Sequence, residues 1–226
     1  GIHITPEAAS TVGGLFAGGE GVGSVMGANR ISGNAMTMTQ IWGYRAGVSA
    51  GEFALSAPLL DVNLEQVAGE RERVFAPVTR EKGSDAVEVK GAIQELANTK
   101  VGVVRDGTRL TEALKSLEEI QERAANVACQ NRDRTYNREW MDALQVQNMA
   151  LCLEMIARAS LLRTESRGAL YRLDCPKTDN VNWLKNILIA RGDRGMELTT
   201  QPAVLTRLRP RIGVFEYGPM EAQRNG

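Results

Sequence analysis

The sequence predicts a mainly α-helical protein. An antiparallel three-helix bundle is preceded by a strand, a glycine-rich loop and a long helix, and is followed by a short β-hairpin. Three observations predict this class. Apolar residues recur at helical spacing over residues 84–162, with short links between the stretches. Glycines cluster over residues 14–51, between a short apolar run and a helical pattern. Residues 187–200 read as two short strands around an Arg-Gly-Asp turn.

Composition excludes several classes of function. The chain carries 27 basic and 27 acidic side chains, so no basic excess indicates a nucleic-acid partner. The sequence contains no apolar run of about eighteen residues, which a membrane span would need, and no export signal. The three cysteines lack the spacing of a metal or disulfide framework, and a single histidine cannot form a metal site by itself. We therefore expect a cytoplasmic protein with reduced thiols and no metal.

The front of the chain has the order strand, glycine loop, helix. Residues 15–17 form the expected strand, Glu20 follows two glycines, and a glycine-rich loop extends over residues 21–33. A long helix begins at about Asn34, which is a good N-cap candidate. Such an arrangement brings bare backbone N–H groups up to a negatively charged or electron-rich ligand. The alternative is a tight strand-to-helix turn that binds nothing.

The long helix, predicted over residues 34–55, carries small residues at four-residue spacing. Gly43, Gly47 and Gly51 form a smooth ridge on which another backbone can lie closely. Membrane helix pairs use the same spacing, but charged and polar residues interrupt this helix, which favours packing on a neighbouring sheet or helix. Pro58 ends it.

Four further helices and a hairpin follow. A connecting helix spans residues 62–78 and is closed by Pro77, with a break at residues 82–84. The bundle helices are predicted over residues 85–104, from Thr108 or Thr111 onward, and over residues 137–163. Residues 186–200 form the hairpin, and the tail to residue 226 is expected to lie over the surface or to serve as a docking segment.

Two motifs carry a resemblance to a known family. The first comprises GLFAGGE at residues 14–20 and GANRISGNA at residues 27–35. The second comprises ESRGALYRLD at residues 165–174 and the NWLK segment after it. Together they resemble the succinate dehydrogenase/fumarate reductase flavoprotein family, over almost the whole chain to about Arg191. The chain departs from the family pattern at three positions: Met26 and Leu170, where histidine is usual, and Cys175, where an aromatic is usual.

The resemblance implies an FAD-dependent oxidoreductase acting on CH–CH groups, with hydride moving between flavin and a C=C or CH–CH bond of a dicarboxylate such as fumarate or succinate. By motif match, Arg30 holds a substrate carboxylate, and Glu20 contacts the flavin. Asn34, Ala35 and Met36 correspond to the helix start that touches the flavin ring. L-aspartate oxidase and adenylylsulfate reductase share the architecture and stay open as relatives, as do the substrate and the direction of reaction.

The domain organisation expected from the resemblance has four parts: a C-terminal segment of an FAD-binding domain at 1–57, a connecting helix and linker at 58–83, the three-helix bundle at 84–175, and a C-terminal extension with a hairpin at 176–226. The expected partners are an N-terminal FAD-binding half, an iron–sulfur subunit and a dicarboxylate, with attachment to the cytoplasmic face of the membrane through partner subunits. The alternative function is a helical module that docks an electron-transfer subunit.

A basic cluster follows the bundle. Arg163, Arg167 and Arg172 lie close in sequence to Glu165 and Asp174. We interpret these residues as an ion-paired hinge between domains rather than as a substrate site.

The sequence generates a prediction about the cofactor. No GxGxxG strand–turn–helix is present, so we expect the ADP-binding half of the flavin domain to lie upstream of Gly1. The 226-residue chain alone should therefore bind FAD weakly or not at all, as measured by flavin absorbance of the purified chain. A yellow preparation with stoichiometric FAD would contradict this expectation.

Overall fold

The computed structural model describes residues 1–23, 25–30, 33–193, 195–207 and 209–218. Parts of the predicted glycine loop and of the tail lie outside these described residues. The protein is mainly helical, as predicted. Its helices are α1 Asn34–Ser56, α2 Leu64–Thr79, α3 Ala86–Lys100, α4 Gly107–Ala125 and α5 Arg138–Leu162, and its strands are β1 Val104–Arg105, β2 Tyr171–Arg172, β3 Lys177–Asp179, β4 Lys185–Gly192, β5 Gly195–Pro202 and β6 Val214–Glu216.

The core of the protein is the bundle of α3, α4 and α5. Each of these helices contacts the other two. Lys100 near the end of α3 pairs with Glu112 near the start of α4, so these two helices run antiparallel. Lys90 and Asp142, both in the first halves of their helices, pair at 2.7 Å, so α3 and α5 run parallel. The bundle is confirmed, and its buried apolar side chains are Val89, Ile93, Leu96, Leu110, Leu117, Ile120, Val146 and Leu153.

Side-chain caps fix where the bundle helices begin. Asp85, Asp106 and Asn137 each accept a hydrogen bond from a backbone N–H of the following first turn. The second bundle helix therefore begins at Gly107, just before the predicted Thr108, because the Asp106 carboxylate caps it. The first bundle helix ends at Lys100 rather than at residue 104, because Val104 and Arg105 pair instead with β2.

The front segment packs against one side of α1. In place of the predicted strand over residues 15–17, Phe16 makes a single antiparallel bridge to Ala9. The predicted N-cap is corrected: Gly33 occupies that position with φ of 90°, and Asn34 is the first helical residue. The physical reason is that the chain enters α1 through a left-handed conformation, which glycine adopts without steric cost.

Helix α2 continues past the residue that was predicted to end it. Pro77 lies within the last turn, and the helix extends to Thr79 because Arg80 still donates to the Ala76 carbonyl at 2.9 Å. The Pro77 carbonyl in turn accepts from the Cys129 N–H at 2.7 Å. Trp140 holds the same end of α2 by donating to the Val74 carbonyl at 2.7 Å. The end of α2 is thus part of the bundle core.

The described strands form three two-stranded sheets, and all of these strands except β1 follow α5 in the chain. Strands β1 and β2 pair in parallel, and β3 pairs antiparallel with β6. The predicted hairpin is confirmed as β4 and β5, with Lys185 opposite Pro202 at its open end and Gly192 opposite Gly195 at its turn.

Helix α1 is exposed along its length. None of its 23 residues is buried, and Met36, Ile41, Tyr44 and Val48 are exposed apolar side chains. In the part of the chain that the structure describes, no helix combines the length and apolar character required to cross a membrane.

The division between front segment and bundle generates a proteolysis prediction. Residues 58–73 are exposed, and Leu59 and Leu60 are 102% and 86% accessible, whereas Val78 at the end of α2 is buried. Within the predicted linker 58–83, we therefore expect chymotrypsin to cut first near Leu59 and Leu60.

The fragment that remains should keep its helical circular dichroism, because the bundle buries its own apolar stripes. Protection of residues 58–63 together with early cleavage inside α4 or α5 would contradict the predicted boundary.

Candidate functional site

Three of the five predicted site residues meet at one cavity. A depression of about 350 Å³ at the start of α1 is lined by Glu20, Arg30 and Ala35, together with Val22, Met26, Asn29, Met38 and Thr39. Asn34 and Met36 do not line it, although they flank Ala35 in the first turn of α1. The side chain of Met36 is 72% exposed.

The N-terminus of α1 leaves its backbone donors available to a ligand. Gly33 has no side chain to cap the helix, and the first turn carries no acidic residue. The first N–H groups of a helix have no partner within the helix, and the aligned peptide dipoles favour negative charge there. This donor set suits an anion or an electron-rich ring, so the residues present fit the flavin that the sequence implies.

Glu20 reaches the cavity because the front segment lies very close to the backbone of α1. It belongs to a single 3-10 turn, Gly19–Gly21. A Cβ atom at Gly18 would lie 2.6 Å from the Trp42 carbonyl oxygen, so only glycine permits this approach. Arg45 of α1 also donates to the Pro6 carbonyl at 3.0 Å. These contacts bring the carboxylate of Glu20 to the same cavity as Arg30.

Arg30 is exposed and free of local ion pairing. Among the described residues, no carboxylate lies within ion-pair distance of its guanidinium and no hydrogen bond from it is found. An arginine without a protein partner, at the mouth of a cavity, is available to an external carboxylate.

A turn from the C-terminal region lies against the loop that carries Arg30. Ala169 donates its N–H to the Ala28 carbonyl at 3.3 Å. Gly168 has φ of 60°, and a Cβ atom there would lie 2.2 Å from the Ala28 oxygen. Sequence reasoning found both motifs but did not place them in contact. The glycine in the second motif was the available signal, because such a position often marks close backbone approach.

The predicted ion pairing after the bundle is present and centres on Glu165. This carboxylate is fully buried. It accepts from Arg167 twice, at 2.7 and 2.9 Å, from Arg163 at 2.5 Å, and from the Asp179 backbone N–H at 2.8 Å. Arg163 also donates to the Trp183 and Lys185 carbonyls. The network joins the end of α5 to the turn, to β3 and to the start of β4.

A second ion pair closes the end of α5. Arg172, only 3% exposed, pairs with Asp174 through two hydrogen bonds of 2.7 and 2.6 Å, and donates to the Ser160 and Arg163 carbonyls. Asp174 also accepts from the Gly107 N–H at the start of α4. The hydrogen bonds from Arg172 are the main cause that lowers the pKa of Asp174 to about 2.

A larger cavity of about 500 Å³ lies at the seam between α5, the β4–β5 hairpin and the loop at Ala28. Its cations are already engaged: Arg105 donates to the Gly102 carbonyl and the Ser160 hydroxyl, and Lys185 lies 4.7 Å from the centre of the Trp183 ring. These contacts organise the seam between the bundle and the hairpin.

Metal ligands and the buried thiol of Cys129 can be assessed directly in the described structure. The described ranges contain no cluster of three His, Cys, Asp or Glu side chains able to hold a metal ion. Cys129 is buried, and burial, with a contribution from Glu139, raises its pKa to about 11. That thiol therefore stays neutral at physiological pH.

Comparisons with known proteins fit this arrangement. Residues 90–220 match the family described as fumarate reductase flavoprotein C-term. The fumarate reductase flavoprotein subunit of Helicobacter pylori is 32% identical over 83% of this chain, and that of Mycobacterium tuberculosis is 30% identical over 95%. Among solved structures, a variant of Escherichia coli quinol fumarate reductase has 27% identity and a TM-score of 0.87 over 93% of this chain.

More distant structures share the fold alone. Adenylylsulfate reductase from Archaeoglobus fulgidus has a TM-score of 0.66 at 18% identity, over 82% of this chain and 30% of its own. The matches cover only part of each relative: this chain spans 27% of the Helicobacter pylori subunit, 38% of the Mycobacterium tuberculosis subunit and 37% of the Escherichia coli chain.

The helical bundle and the sheets that follow it are those of the C-terminal region of a flavoprotein. The chain belongs to the fumarate reductase/succinate dehydrogenase flavoprotein family.

The buried network generates a stability prediction. Glu165→Gln removes the negative charge between Arg163 and Arg167, and losing one partner of a buried ion pair costs about 3–5 kcal/mol. We expect that decrease in the free energy of unfolding of the 226-residue chain, measured by urea denaturation with tryptophan fluorescence.

Glu70→Gln is the matched control. Its pair with Arg73 is exposed, with side-chain accessibilities of 58% and 48%, so its loss should change the unfolding free energy by less than about 1 kcal/mol. Equal effects of the two substitutions would refute a special role for Glu165.

Proposed function

We propose that this chain forms the carboxylate-binding and flavin-facing part of an FAD-dependent oxidoreductase that acts on a C=C or CH–CH bond of a dicarboxylate. One observation carries the proposal: Arg30, Glu20 and the uncapped N-terminus of α1 surround a single cavity. A cation, a carboxylate and a set of backbone donors are the groups needed to hold a charged substrate beside an electron-rich ring.

Arg30 is the proposed substrate-binding residue. Its planar guanidinium can hold a carboxylate through two parallel hydrogen bonds, which fixes the orientation of the substrate as well as its position. The free guanidinium is compatible with this role, because at the edge of the cavity it is available to a carboxylate from outside the chain.

Glu20, Asn34, Ala35 and Met36 are the proposed cofactor-binding residues. FAD would supply the chemistry of hydride exchange with the substrate carbon. The first turn of α1 would present N–H groups and a positive dipole end to the flavin ring, which favours negative charge on the ring. Glu20 would accept hydrogen bonds from the ring on the other side.

The proton donor and the other half of the cofactor site are proposed to come from another part of the complete protein. Of the described residues that line the cavity, Glu20 and Arg30 are the ionisable ones. Neither suits proton delivery if one faces the flavin and the other holds the carboxylate. The exposed face of α1, with Gly43, Gly47 and Gly51 open to close approach, is the proposed contact surface for the N-terminal FAD-binding half.

The complete protein is further proposed to work as a subunit of a larger complex, with an iron–sulfur subunit as its electron-transfer partner and with attachment to the cytoplasmic face of a membrane through other subunits. Two observations support this assembly. The Helicobacter pylori and Mycobacterium tuberculosis relatives are flavoprotein subunits, and a chain of the Mycobacterium smegmatis Sdh1 complex is 32% identical with a TM-score of 0.82.

The role of Arg30 is tested by Arg30→Gln in the complete enzyme. Losing a charge-assisted hydrogen bond costs roughly 1.5–3 kcal/mol, and more where water is excluded. We expect kcat/KM for fumarate or succinate to fall at least about tenfold, since about 1.36 kcal/mol corresponds to a factor of ten. Flavin content and melting temperature should stay nearly unchanged.

Arg71→Gln serves as the matched control, because Arg71 is an exposed arginine on α2, away from the cavity. Arg30→Lys should restore activity only in part, since an ammonium group lacks the two-point fork. Unchanged kcat/KM in a flavin-replete Arg30→Gln enzyme would exclude Arg30 from the site.

A further inference from the structure

We propose that the turn at Gly168 is a positioning element for Arg30: it fixes the backbone of the substrate-binding loop from the side of the C-terminal region. The proposal rests on the substrate-binding role of Arg30 given above. Gly168 itself touches neither substrate nor cofactor in this scheme, and acts through Ala28, two positions before Arg30 in the chain.

The contact is too close for any residue but glycine at position 168. A Cβ atom there would lie 2.2 Å from the Ala28 oxygen, 2.4 Å from its carbonyl carbon and 2.7 Å from its Cβ. Real Cβ atoms essentially never come within 3.0 Å of backbone. The φ of 60° at Gly168 disfavours other residues independently. A larger residue must therefore displace the turn or displace Ala28.

The turn is held more firmly than the loop. Arg167 and Leu170 exchange two backbone hydrogen bonds, of 2.8 and 3.0 Å, which close the turn. The Tyr217 hydroxyl donates to the Gly168 carbonyl at 2.6 Å. Arg167 is fixed by its two hydrogen bonds to buried Glu165 and by a third to Asn180. A collision would therefore move Ala28 rather than the turn.

The loop has little other support in the described chain. Among the described residues, one hydrogen bond connects residues 25–30 with the rest of the chain, and it runs from the Ala169 N–H to the Ala28 carbonyl. The adjacent Gly27, with φ of 66°, has open space around its Cβ direction. Among the described contacts, the one with the turn is therefore the support that we assign to the position of the Arg30 guanidinium. A misplacement of about 1 Å is enough to cost on the order of a hundredfold in rate.

The test uses Gly168→Asn in the complete enzyme. Asparagine tolerates the left-handed backbone region, so the collision with Ala28 is the main remaining effect. We expect kcat/KM for the dicarboxylate to fall about tenfold or more, chiefly through a higher KM, with flavin content unchanged. Gly14→Asn is the matched control: Gly14 has φ of 80°, and its nearest neighbour is a Phe53 ring carbon at 3.4 Å. This control should keep the activity of the parent enzyme.

A double-mutant cycle separates positioning from a general structural effect. If Gly168 acts through Arg30, then Gly168→Asn in an Arg30→Gln background should lower kcat/KM by less than about twofold further. Losses that multiply in full would overturn the proposal. If Arg30→Gln alone changes nothing, the proposed function fails. If Arg30→Gln has its effect but Gly168→Asn has none, only the positioning role fails.

Tyr217→Phe keeps the proposal falsifiable if Gly168→Asn does not fold. It removes one hydrogen bond to the Gly168 carbonyl without adding an atom. A single hydrogen bond supports an expected rise in KM of about two- to fivefold with little change in kcat, and this rise too should vanish in the Arg30→Gln background. An unchanged KM in Tyr217→Phe, together with a non-folding Gly168→Asn, would overturn the proposal.

Discussion

A single buried carboxylate constrains the C-terminal half of the protein. Glu165 has no accessible surface, and a carboxylate out of water must be satisfied by charge and hydrogen bonds or it destabilises the fold by several kcal/mol. Its partners come from the end of α5, the turn at Arg167 and the end of β3. Of these elements, the turn and β3 are short. The need to neutralise this charge therefore helps to hold the turn and β3 against the end of α5.

This constraint extends from the bundle to the candidate site. The bundle fixes the end of α5, Glu165 fixes Arg167, and the turn that Arg167 begins presses Gly168 against Ala28. Each step is a contact that allows little movement. The first is a buried ion pair, the second is a turn closed by two backbone hydrogen bonds, and the third is a backbone contact too close for a Cβ atom. The turn at Gly168, which is far from Arg30 in the sequence, thereby helps to position the loop that carries Arg30.

The sequence predicted the bundle well because its information is local. Leu110, Leu117 and Ile120 repeat on one helical face, and that face is buried. Two predicted element boundaries were wrong, also for local reasons. Gly33 rather than Asn34 is the N-cap of α1, and Pro77 lies in the last turn of α2, which tolerates it. The approach of Gly168 to Ala28 could not be predicted in this way. Both motifs were visible, but nothing in periodicity or composition reports that two loops far apart in the chain come into contact.

Helix α1 shows why the candidate site needs support from a second direction. Helices in water gain most of their stability from packing an apolar face, yet no residue of α1 is buried and several of its apolar side chains are exposed. Contacts such as Phe16 with Phe53, and Arg45 with Pro6, hold it on one side only. The start of this helix forms one wall of the cavity beside Arg30. The loop of Arg30 contacts the C-terminal turn, whereas the glycine ridge of α1, the helix that forms the other wall, stays exposed in the described chain. Under the proposed function, a complete site would form where these two supports meet.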